Sequence, residues 1–201
     1  MRMELIAKGA EAQIYRDGDV IIKVRNEKKY RNESLDASLR RGRTKKEGTA
    51  LRKCYEAGIP CPELIAVEGD SIRMSIIPGE RMSETFNGLT QKEKDKCAGM
   101  IGRMLAGMHS IGLCHGDLAP TNIIIYRGKP HVIDFGLCEF TTYHEKMAAD
   151  IAVMHKSLGD GQTFKSLLDG YIEGYKEAGQ VIARWKRNCE RGRYKKGKRQ
   201  K

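Results

Sequence analysis

Long apolar runs and cysteine motifs are what this sequence lacks. No apolar run among its 201 residues approaches the roughly 18 to 20 residues that cross a bilayer, and the opening MRMELIAKGAEAQIY holds no stretch of signal-peptide length. No two of the six cysteines have CxxC spacing, and none lies near a histidine pair with zinc-finger spacing. We therefore expect six free thiols, no membrane partner, and a cytoplasmic location, with the nucleus as a second location.

Internal repeats and low-complexity linkers are also missing, which favours one domain or one compact two-lobed unit. Hydrophobic residues make up 40% of the chain and charged residues 31%, values that exclude wholesale disorder and a fibrous protein. A chain of this length buries a hydrophobic core without needing disulfides.

Positive charge is what the sequence has in excess, with a net charge of +11. Residues 184–201 hold ten Lys or Arg and one Glu, so this basic tail carries +9 and the rest of the chain only +2. A second basic stretch runs over 25–46. Clustered cations neutralise phosphates and release counterions, so the tail indicates a nucleic acid or an acidic protein partner. A solubility tail or a nuclear-import address is the alternative.

Apolar periodicity and turn residues predict an α+β chain of two lobes. In residues 1–77, the N-lobe, we expect one helix over 34–57 and strands near 3–7, 11–16, 19–24, 63–67 and 71–77. In residues 78–183, the C-lobe, we expect a hairpin turning at Gly128-Lys129-Pro130 and helices over 90–112, 143–158 and 163–178. The fold predicted is thus a small β-rich lobe, a compact helical lobe and the basic tail.

The strongest motif is CHGDLAPTN at residues 114–122, followed by Asp134-Phe135-Gly136 seventeen residues after Asp117. Phosphoryl transfer needs a carboxylate near the acceptor hydroxyl or water, and oxygen ligands for Mg²⁺. Asp117 can orient the nucleophile, while Asn122 and Asp134 can hold the metal. Each element alone could be a turn or a strand end, but together, in this order and spacing, they predict a phosphotransferase.

These motifs resemble the protein kinase-like superfamily, and the N-terminal residues fit the same resemblance. The segment IAKGAEAQIY over 6–15 overlays on the glycine-rich loop, although only Gly9 keeps a glycine. Lys23 matches the strand lysine that reaches the α and β phosphates of ATP. The resemblance requires a helix glutamate as its partner; Glu47 is favoured, with Glu33 and Glu56 as alternatives.

An ATP site between the lobes is what this resemblance implies. Met74 would lie at the back of the pocket, and the backbone of Ser75 and Ile77 would hydrogen-bond adenine. The expected ATP-binding residues are Ile6, Gly9, Ala10, Ile14, Lys23, Glu47, Met74, Ser75, Ile77 and Asp134. Asp150 matches the buried helix carboxylate that braces the catalytic loop, with a helix-surface aspartate as the alternative.

Departures from the protein kinase pattern narrow the family. HGD replaces HRD, only thirteen residues separate Gly136 from Asp150, and no APE follows, so a long activation loop and its phosphorylation switch are not expected. Small-molecule phosphotransferases share HGD but carry a larger helical domain. Over nearly its whole length the chain is similar to the small atypical kinase of the KEOPS complex, through its segments 8–12, 35–36, 43–47, 116–122, 134–137 and 191–193.

The KEOPS resemblance implies a serine/threonine kinase fold that uses ATP and Mg²⁺ and acts mainly as an ATPase. It implies three partners within a complex that modifies tRNA to threonylcarbamoyladenosine: the tRNA threonylcarbamoyl transferase on the C-lobe, a small accessory subunit on the N-lobe, and tRNA. Arg191 and Arg193 would contact tRNA or the transferase.

Two other functions stay open at the level of sequence: a free-standing small-molecule phosphotransferase and a non-catalytic pseudokinase that bridges partners. Glu11 is unexplained at the level of sequence, because a carboxylate is electrostatically unwelcome in a loop that should cover phosphates. We expect it to pair with Lys23 or another cation when nucleotide is absent.

Overall fold

The computed structural model describes residues 3–197, with side chains as far as Arg191. Its strands are β1 Glu4–Lys8, β2 Ala12–Asp17, β3 Val20–Arg25, β4 Leu64–Glu68, β5 Ser71–Ser75, β6 Glu80–Arg81, β7 Leu113–Cys114, β8 Ile123–Tyr126, β9 Lys129–Val132 and β10 Glu139–Phe140. Its helices are α1 Glu33–Glu56, α2 Met82–Thr85, α3 Gln91–Ser110, α4 His144–Leu158, α5 Gln162–Gly174 and α6 Ala178–Gly197. No helix in this range is both long and apolar enough to cross a membrane.

The N-lobe is an antiparallel sheet in the order β1-β2-β3-β5-β4 with α1 against one face. Because side chains alternate along a strand, Lys23 and Arg25 of β3 point to the same face and reach α1. The Asn32 side chain caps α1 by accepting the N–H groups of its first turn, and α1 ends before Gly58, whose φ is +71°. The predicted strands and helix of this lobe are confirmed within two residues at each end.

The C-lobe is built on the contact between α3 and α5, which pack closely because glycines face each other. A Cβ on Gly102 would lie 2.0 Å from the Leu167 carbonyl oxygen, and a Cβ on Gly170 would lie 2.1 Å from the Gly99 carbonyl oxygen. Thr90 and Glu93 form the capping box that begins α3. The largest fully buried side chains around these helices include Ile101, Leu105, Met108, Leu113, Leu118, Met147 and Tyr171.

The hairpin of β8 and β9 turns earlier than the sequence predicts. Its two central residues are Arg127 and Gly128, with φ of 50° and 71°, while Lys129 and Pro130 already belong to β9. A two-residue turn with positive φ at both positions matches the twist of the strands. Pro130 is tolerated because β9 is the edge strand of the sheet β6-β8-β9.

The helix predicted over 163–178 ends four residues earlier than expected, and it is followed by a further helix that was not predicted. α5 ends at Gly174, Tyr175 is extended with φ −132° and ψ 120°, and α6 begins at Ala178. The chain turns there because α6 packs its own apolar face, formed by Val181, Ile182 and Trp185, onto the core.

α6 also changes the picture of the basic tail. It continues through residue 184, where the tail was predicted to begin, because Trp185 packs against Phe164 with ring centroids 5.2 Å apart and against His155 at 5.0 Å. The N-terminal half of the tail is therefore a helix anchored in the core, and residues 198–201 lie outside the described range.

Candidate active site

A cleft between the lobes contains the motif residues. One cavity of about 430 Å³ adjoins a second of about 360 Å³, and both are lined by Ile14, Lys23 and Asp134. The first is also lined by Ile6, Glu47, Met74, Ser75, Ile77 and Asn122, and the second by Gly9, Ala10 and Asp117. The structure therefore brings together all the residues predicted for ATP, metal and catalysis.

The larger cavity has an apolar end beside the segment that joins the lobes. Ile6, Ile14 and Ile21 line it from the sheet, Met74 lies behind it with 9% of its surface exposed, and Ile124 and Ile133 line it from the C-lobe. An apolar slot of this kind suits a flat aromatic group.

Two backbone N–H groups of the segment that joins the lobes already donate hydrogen bonds within the protein. The Ser75 N–H donates to the Glu63 carbonyl at 2.9 Å, and the Ile76 N–H donates to the Asp19 carbonyl at 2.9 Å. Among the described residues the Ile77 N–H has no such partner, so it is the amide of this segment left for a ligand in the slot.

Lys23 lies at the centre of the polar end. Its Nζ donates to Glu47 Oε1 at 2.7 Å and to Asp134 Oδ1 at 2.7 Å, and both Lys23 and Glu47 are buried. The predicted pairing with Glu47 is confirmed. The alternatives Glu33 and Glu56 are the first and last residues of α1 and make no ion pair with Lys23.

Arg25 is a residue of the cleft that the sequence reasoning missed. Its Nη2 donates to Glu47 Oε2 at 2.5 Å, and 6% of its surface is exposed. Glu47 thus gives one carboxylate oxygen to each of two cations. The signal was available, because a residue two positions after Lys23 on a strand must share its face.

Asp134 has a backbone conformation that is uncommon outside glycine, with φ of 62°. Its Oδ1 accepts the Lys23 ammonium and the Gly136 N–H, the latter at 3.0 Å. Burial alone would raise the pKa of the Asp134 carboxyl, but the Lys23 ammonium outweighs it and holds the pKa below the ordinary 3.8. The side chain is therefore an anion at neutral pH.

Asp150 on α4 braces the loop that carries the HGD motif. Its two oxygens accept the N–H groups of His115 at 2.7 Å and Gly116 at 2.8 Å. His115 is fully buried: Nδ1 accepts the Asp117 N–H at 3.3 Å, and Nε2 lies 3.1 Å from the Ile133 carbonyl, so the proton is assigned to Nε2. The bracing role predicted for Asp150 is confirmed, and the helix-surface alternative is wrong.

Asn122 is oriented by Asp117. Its Nδ2 donates to the Asp117 carbonyl at 2.9 Å and to Asp117 Oδ2 at 3.1 Å, which leaves Oδ1 of Asn122 as the atom available to a cation. Asp117 is exposed to the cleft. One short loop thus presents a carboxylate and an amide oxygen next to the Asp134 carboxylate.

Gly116 explains why the motif reads HGD. Its φ is 83°, and a Cβ at this position would lie 2.3 Å from the Leu137 carbonyl oxygen. The segment after Gly136 packs directly onto the catalytic loop there, so an arginine would not fit.

The glycine-rich loop is held by cations, but not by Lys23. Glu11 pairs with Lys28 at 2.9 Å and with Arg43 at 3.2 Å, and Lys28 also donates to the Ala10 carbonyl at 2.7 Å. The hydrogen bond from Lys28 is the main reason why the pKa of Glu11 lies below its ordinary value. Of the two pairings expected for Glu11, the one with Lys23 is wrong, because Lys23 is already engaged by Glu47 and Asp134.

Arg191 and Arg193 lie on α6, and the structure does not bring Arg191 into the cleft. Arg191 is exposed, and the side chain of Arg193 lies outside the described residues. Earlier on α6, Arg184 pairs with Glu145 of α4, and Asn188 donates to the same carboxylate at 3.0 Å. The described part of the basic helix is thus fixed against the C-lobe.

Comparison with known proteins identifies several relatives of this chain. Residues 9–156 match the RIO domain. The probable serine/threonine-protein kinase BUD32 homolog of Archaeoglobus fulgidus is 36% identical, and the match covers 92% of this chain and 94% of that protein. The KEOPS complex subunit Bud32 of Pyrococcus abyssi is 34% identical, with 96% and 97% covered. A probable bifunctional tRNA threonylcarbamoyladenosine biosynthesis protein of Methanobrevibacter smithii is 34% identical, with 94% of this chain but 36% of that protein covered.

Solved structures share the fold at low sequence identity. The Rio2 kinase-ADP/Mg²⁺-phosphoaspartate complex from Chaetomium thermophilum has a TM-score of 0.64 and 18% identity, and covers 95% of this chain and 70% of that one. The ADP-bound aminoglycoside phosphotransferase APH(2'')-Ib has a TM-score of 0.66 and 15% identity, with 90% and 80% covered. The predicted protein kinase-like fold is confirmed.

Proposed function

The chain belongs to the RIO domain family and to the family of Bud32 proteins, and from this premise we propose that it is an ATP-dependent phosphotransferase, the atypical serine/threonine kinase and ATPase subunit of a KEOPS complex. The observation that carries the proposal is the contact of Lys23 with both Glu47 and Asp134 at 2.7 Å in a cleft that also holds Asp117 and Asn122. All the charged groups that phosphoryl transfer requires are present.

ATP binds with its base in the apolar slot and its phosphates at the polar end. Ile6, Ile14 and Met74 enclose the base, and the Ile77 N–H donates to it. Lys23, positioned by Glu47, contacts the α and β phosphates, and the backbone of Gly9 and Ala10 covers them.

The oxygen atoms in the cleft suit Mg²⁺, which prefers hard oxygen ligands. Asn122 would hold it through Oδ1, because Nδ2 is committed to Asp117, and Asp134 would hold it through its ionised carboxylate. When bound, the metal neutralises charge on the phosphate oxygens. Asn122 is already oriented for this role by Asp117, whereas Asp134 has to exchange its contact with Lys23 for the metal.

Asp117 orients a serine hydroxyl or a water for in-line attack on the terminal phosphate. It lies on a loop whose position is set by the two N–H bonds to Asp150 and by the buried His115. Holding the reactants in this geometry supplies most of the rate, because the protein has little covalent chemistry to do.

Assembly within KEOPS is proposed from the relatives. The Pyrococcus abyssi protein is named a KEOPS complex subunit, and this chain matches 36% of the Methanobrevibacter smithii protein, which is named a probable bifunctional tRNA threonylcarbamoyladenosine biosynthesis protein. By analogy the tRNA threonylcarbamoyl transferase docks on the C-lobe and a small accessory subunit on the N-lobe. tRNA contacts the basic helix near Arg191 and Arg193. The cytoplasm is the proposed location, with the nucleus as a second one.

A free-standing small-molecule phosphotransferase is the second candidate, favoured by the fold shared with APH(2'')-Ib. Against it, no described residue of α4, α5 or α6 lines the cavity that contains Asp117; α5 packs on α3, and α4 and α6 pack on each other and on α5. The pseudokinase alternative is disfavoured by the complete set of cleft residues.

The test is release of labelled phosphate from ATP, with and without tRNA and the partner transferase. Asp117→Ala should lower turnover by about 10²- to 10⁴-fold while ATP binding is kept. Asp169→Ala, at an exposed position on α5, is the matched control and should retain full turnover. Label appearing only on protein would favour the kinase role over the ATPase role. ATP binding with no turnover in any mixture would contradict the proposal in favour of a scaffold.

A further inference from the structure

Arg25 has no part in the function proposed so far, yet it is among the most buried charges of the N-lobe. Its side chain is 5% exposed and that of its partner Glu47 is 2% exposed. The guanidinium makes one ion pair, to Glu47 Oε2, and its buried Nε–H has no hydrogen-bond partner in the described part of the chain. Burying a guanidinium with an unsatisfied N–H costs free energy. We therefore attribute the position of Arg25 to its ion pair with Glu47 rather than to packing.

The surroundings place Arg25 beside the reacting groups. It lines the 360 Å³ cavity together with Lys23, Asp117 and Asp134. A Cβ on Gly136 would lie 3.6 Å from Arg25 Nη2 and 3.7 Å from Lys23 Nζ, so both cations reach the same point of the Asp134-Gly136 turn. Lys23 and Arg25 carry two positive charges, and Glu47 and Asp134 two negative ones, so the cluster of four side chains is neutral.

That balance changes when nucleotide enters. Under the proposed function Lys23 turns to the phosphates and Asp134 to the metal. The ion pair between Lys23 and the buried Glu47 carboxylate would then be weakened, because Lys23 would be shared with the phosphates. A buried carboxylate that loses its cation strongly destabilises the protein. Arg25 is the cation that stays, because its contact is to the other oxygen of Glu47.

We propose that Arg25 is a positioning residue for phosphoryl transfer: it holds Glu47, and through Glu47 the helix α1, while Lys23 engages the nucleotide. The inference rests on the proposed function and deepens it. This role of Arg25 would also explain how the site is assembled without a long activation loop. The contact from β3 to Glu47 holds α1 in place directly.

The experiment compares Arg25→Gln and Arg25→Lys in the assembled complex, with turnover, MgATP affinity by calorimetry and melting temperature measured on each. Arg25→Gln should lower kcat about tenfold while the dissociation constant of MgATP changes by less than about threefold. Arg25→Lys, which keeps the positive charge and can still donate to Glu47 from its ammonium, should restore most of kcat. Arg73→Gln on β5, whose side chain alternates away from the buried neighbours Ile72 and Met74, is the matched control.

A double-mutant cycle separates action through Glu47 from direct contact with the nucleotide. In a Glu47→Gln background, Arg25→Gln should lower kcat by less than about twofold further. A full tenfold fall in that background would overturn the proposal, because Arg25 would then act on the phosphates themselves. A lower melting temperature with unchanged kcat would overturn it in favour of a purely structural role.

Failure of the proposed function has a different signature. If the unchanged chain in its complex neither binds MgATP nor turns it over, the function is wrong and this inference falls with it. If the unchanged chain is active and Arg25→Gln is as active as Arg73→Gln, only the role of Arg25 is wrong.

Discussion

Lys23 and Asp134 form a direct ion pair, with Nζ donating to Oδ1 at 2.7 Å, although they are 111 positions apart in the chain. The first is proposed to serve the phosphates and the second the metal, so the protein pairs its two main ligand-binding charges before nucleotide arrives. Because the Asp134 side chain is 48% exposed, breaking this ion pair when MgATP binds should cost little free energy.

Asp134→Asn should therefore separate the two roles. The metal-dependent part of ATP affinity is expected to disappear, because an amide is a poorer ligand than a carboxylate for Mg²⁺. Metal-free ATP should bind at least as well as to the unchanged chain, because Lys23 loses a competing anion. Calorimetry with and without Mg²⁺ measures both. A variant that keeps the full Mg²⁺ dependence would contradict the assignment of Asp134 as a metal ligand.

The same pair has a pH signature. The pKa of Asp134 in the folded protein lies below its ordinary value of 3.8, so the ion pair stabilises the fold above that value and is lost as pH falls through the folded pKa. The difference in melting temperature between the unchanged chain and Asp134→Asn should be constant from about pH 5 to 8 and shrink below about pH 4. A difference that changes between pH 6 and 7 would mean that another group controls the site.

Glu11 places a negative charge at the phosphate end of the cleft. Glu11→Ala should strengthen ATP binding a few-fold and raise turnover of the isolated chain, because a carboxylate in that loop repels phosphate. Stability should change by less than about 0.5 kcal/mol, since the Glu11 side chain is 58% exposed in its pairs with Lys28 and Arg43. Glu173→Ala on α5 also removes an exposed carboxylate paired to an arginine, and it should leave ATP affinity unchanged. Equal affinity of the two variants would show that Glu11 does not restrain the site.

Much of the cleft could be predicted from sequence because its residues lie in motifs with fixed spacing. Asp117 and Asn122 are on one loop, and Lys23 is followed by a helix with Glu47 near its middle, so local order sets their neighbourhood. The cations that pair with Glu11 could not be predicted in this way. Lys28 and Arg43 bind Glu11, yet the basic stretch over 25–46 offers many equivalent candidates, and only the folded loop decides between them.

The C-terminal part was harder to predict for a related reason. The basic run dominates the composition after residue 184, but Trp185 and the apolar residues before it make α6 a core helix. The strands β6, β7 and β10 have two residues each, too short for any periodicity, and exist only because the chain passes beside another strand.

Gly116 is expected to tolerate no side chain. Gly116→Ala should destabilise the fold by about 3 kcal/mol or more and abolish turnover, because the new Cβ would meet the Leu137 carbonyl in addition to the strain of a positive φ. Gly128→Ala has a similar φ of 71° but open space around the new Cβ, and should cost only about 1–2 kcal/mol. Urea unfolding of the two variants isolates the steric part. Equal losses would mean that Leu137 yields and that the catalytic loop is not locked there.

The six thiols should differ sharply in reactivity. Cys189 on α6 is half-buried, while the other five are buried: Cys54, Cys61, Cys97, Cys114 and Cys138. Burial raises the pKa of Cys97 to about 11, and burial, with smaller effects from neighbouring charges, raises that of Cys138 to about 11 and that of Cys114 to about 12. At pH 8 these groups are therefore neutral thiols, and the thiolate is the reactive form.

A disulfide reagent at pH 8 should consequently react quickly with one thiol per folded chain and with six after denaturation. Cys189→Ser should remove the fast phase and leave turnover unchanged, because no described residue of α6 lines either cavity of the cleft. Two or more fast thiols would mean that the core around at least one of the five buried cysteines opens on the timescale of labelling. Slowing of those extra phases by MgATP would then locate the opening at the cleft, since nucleotide that binds only the closed form must suppress it.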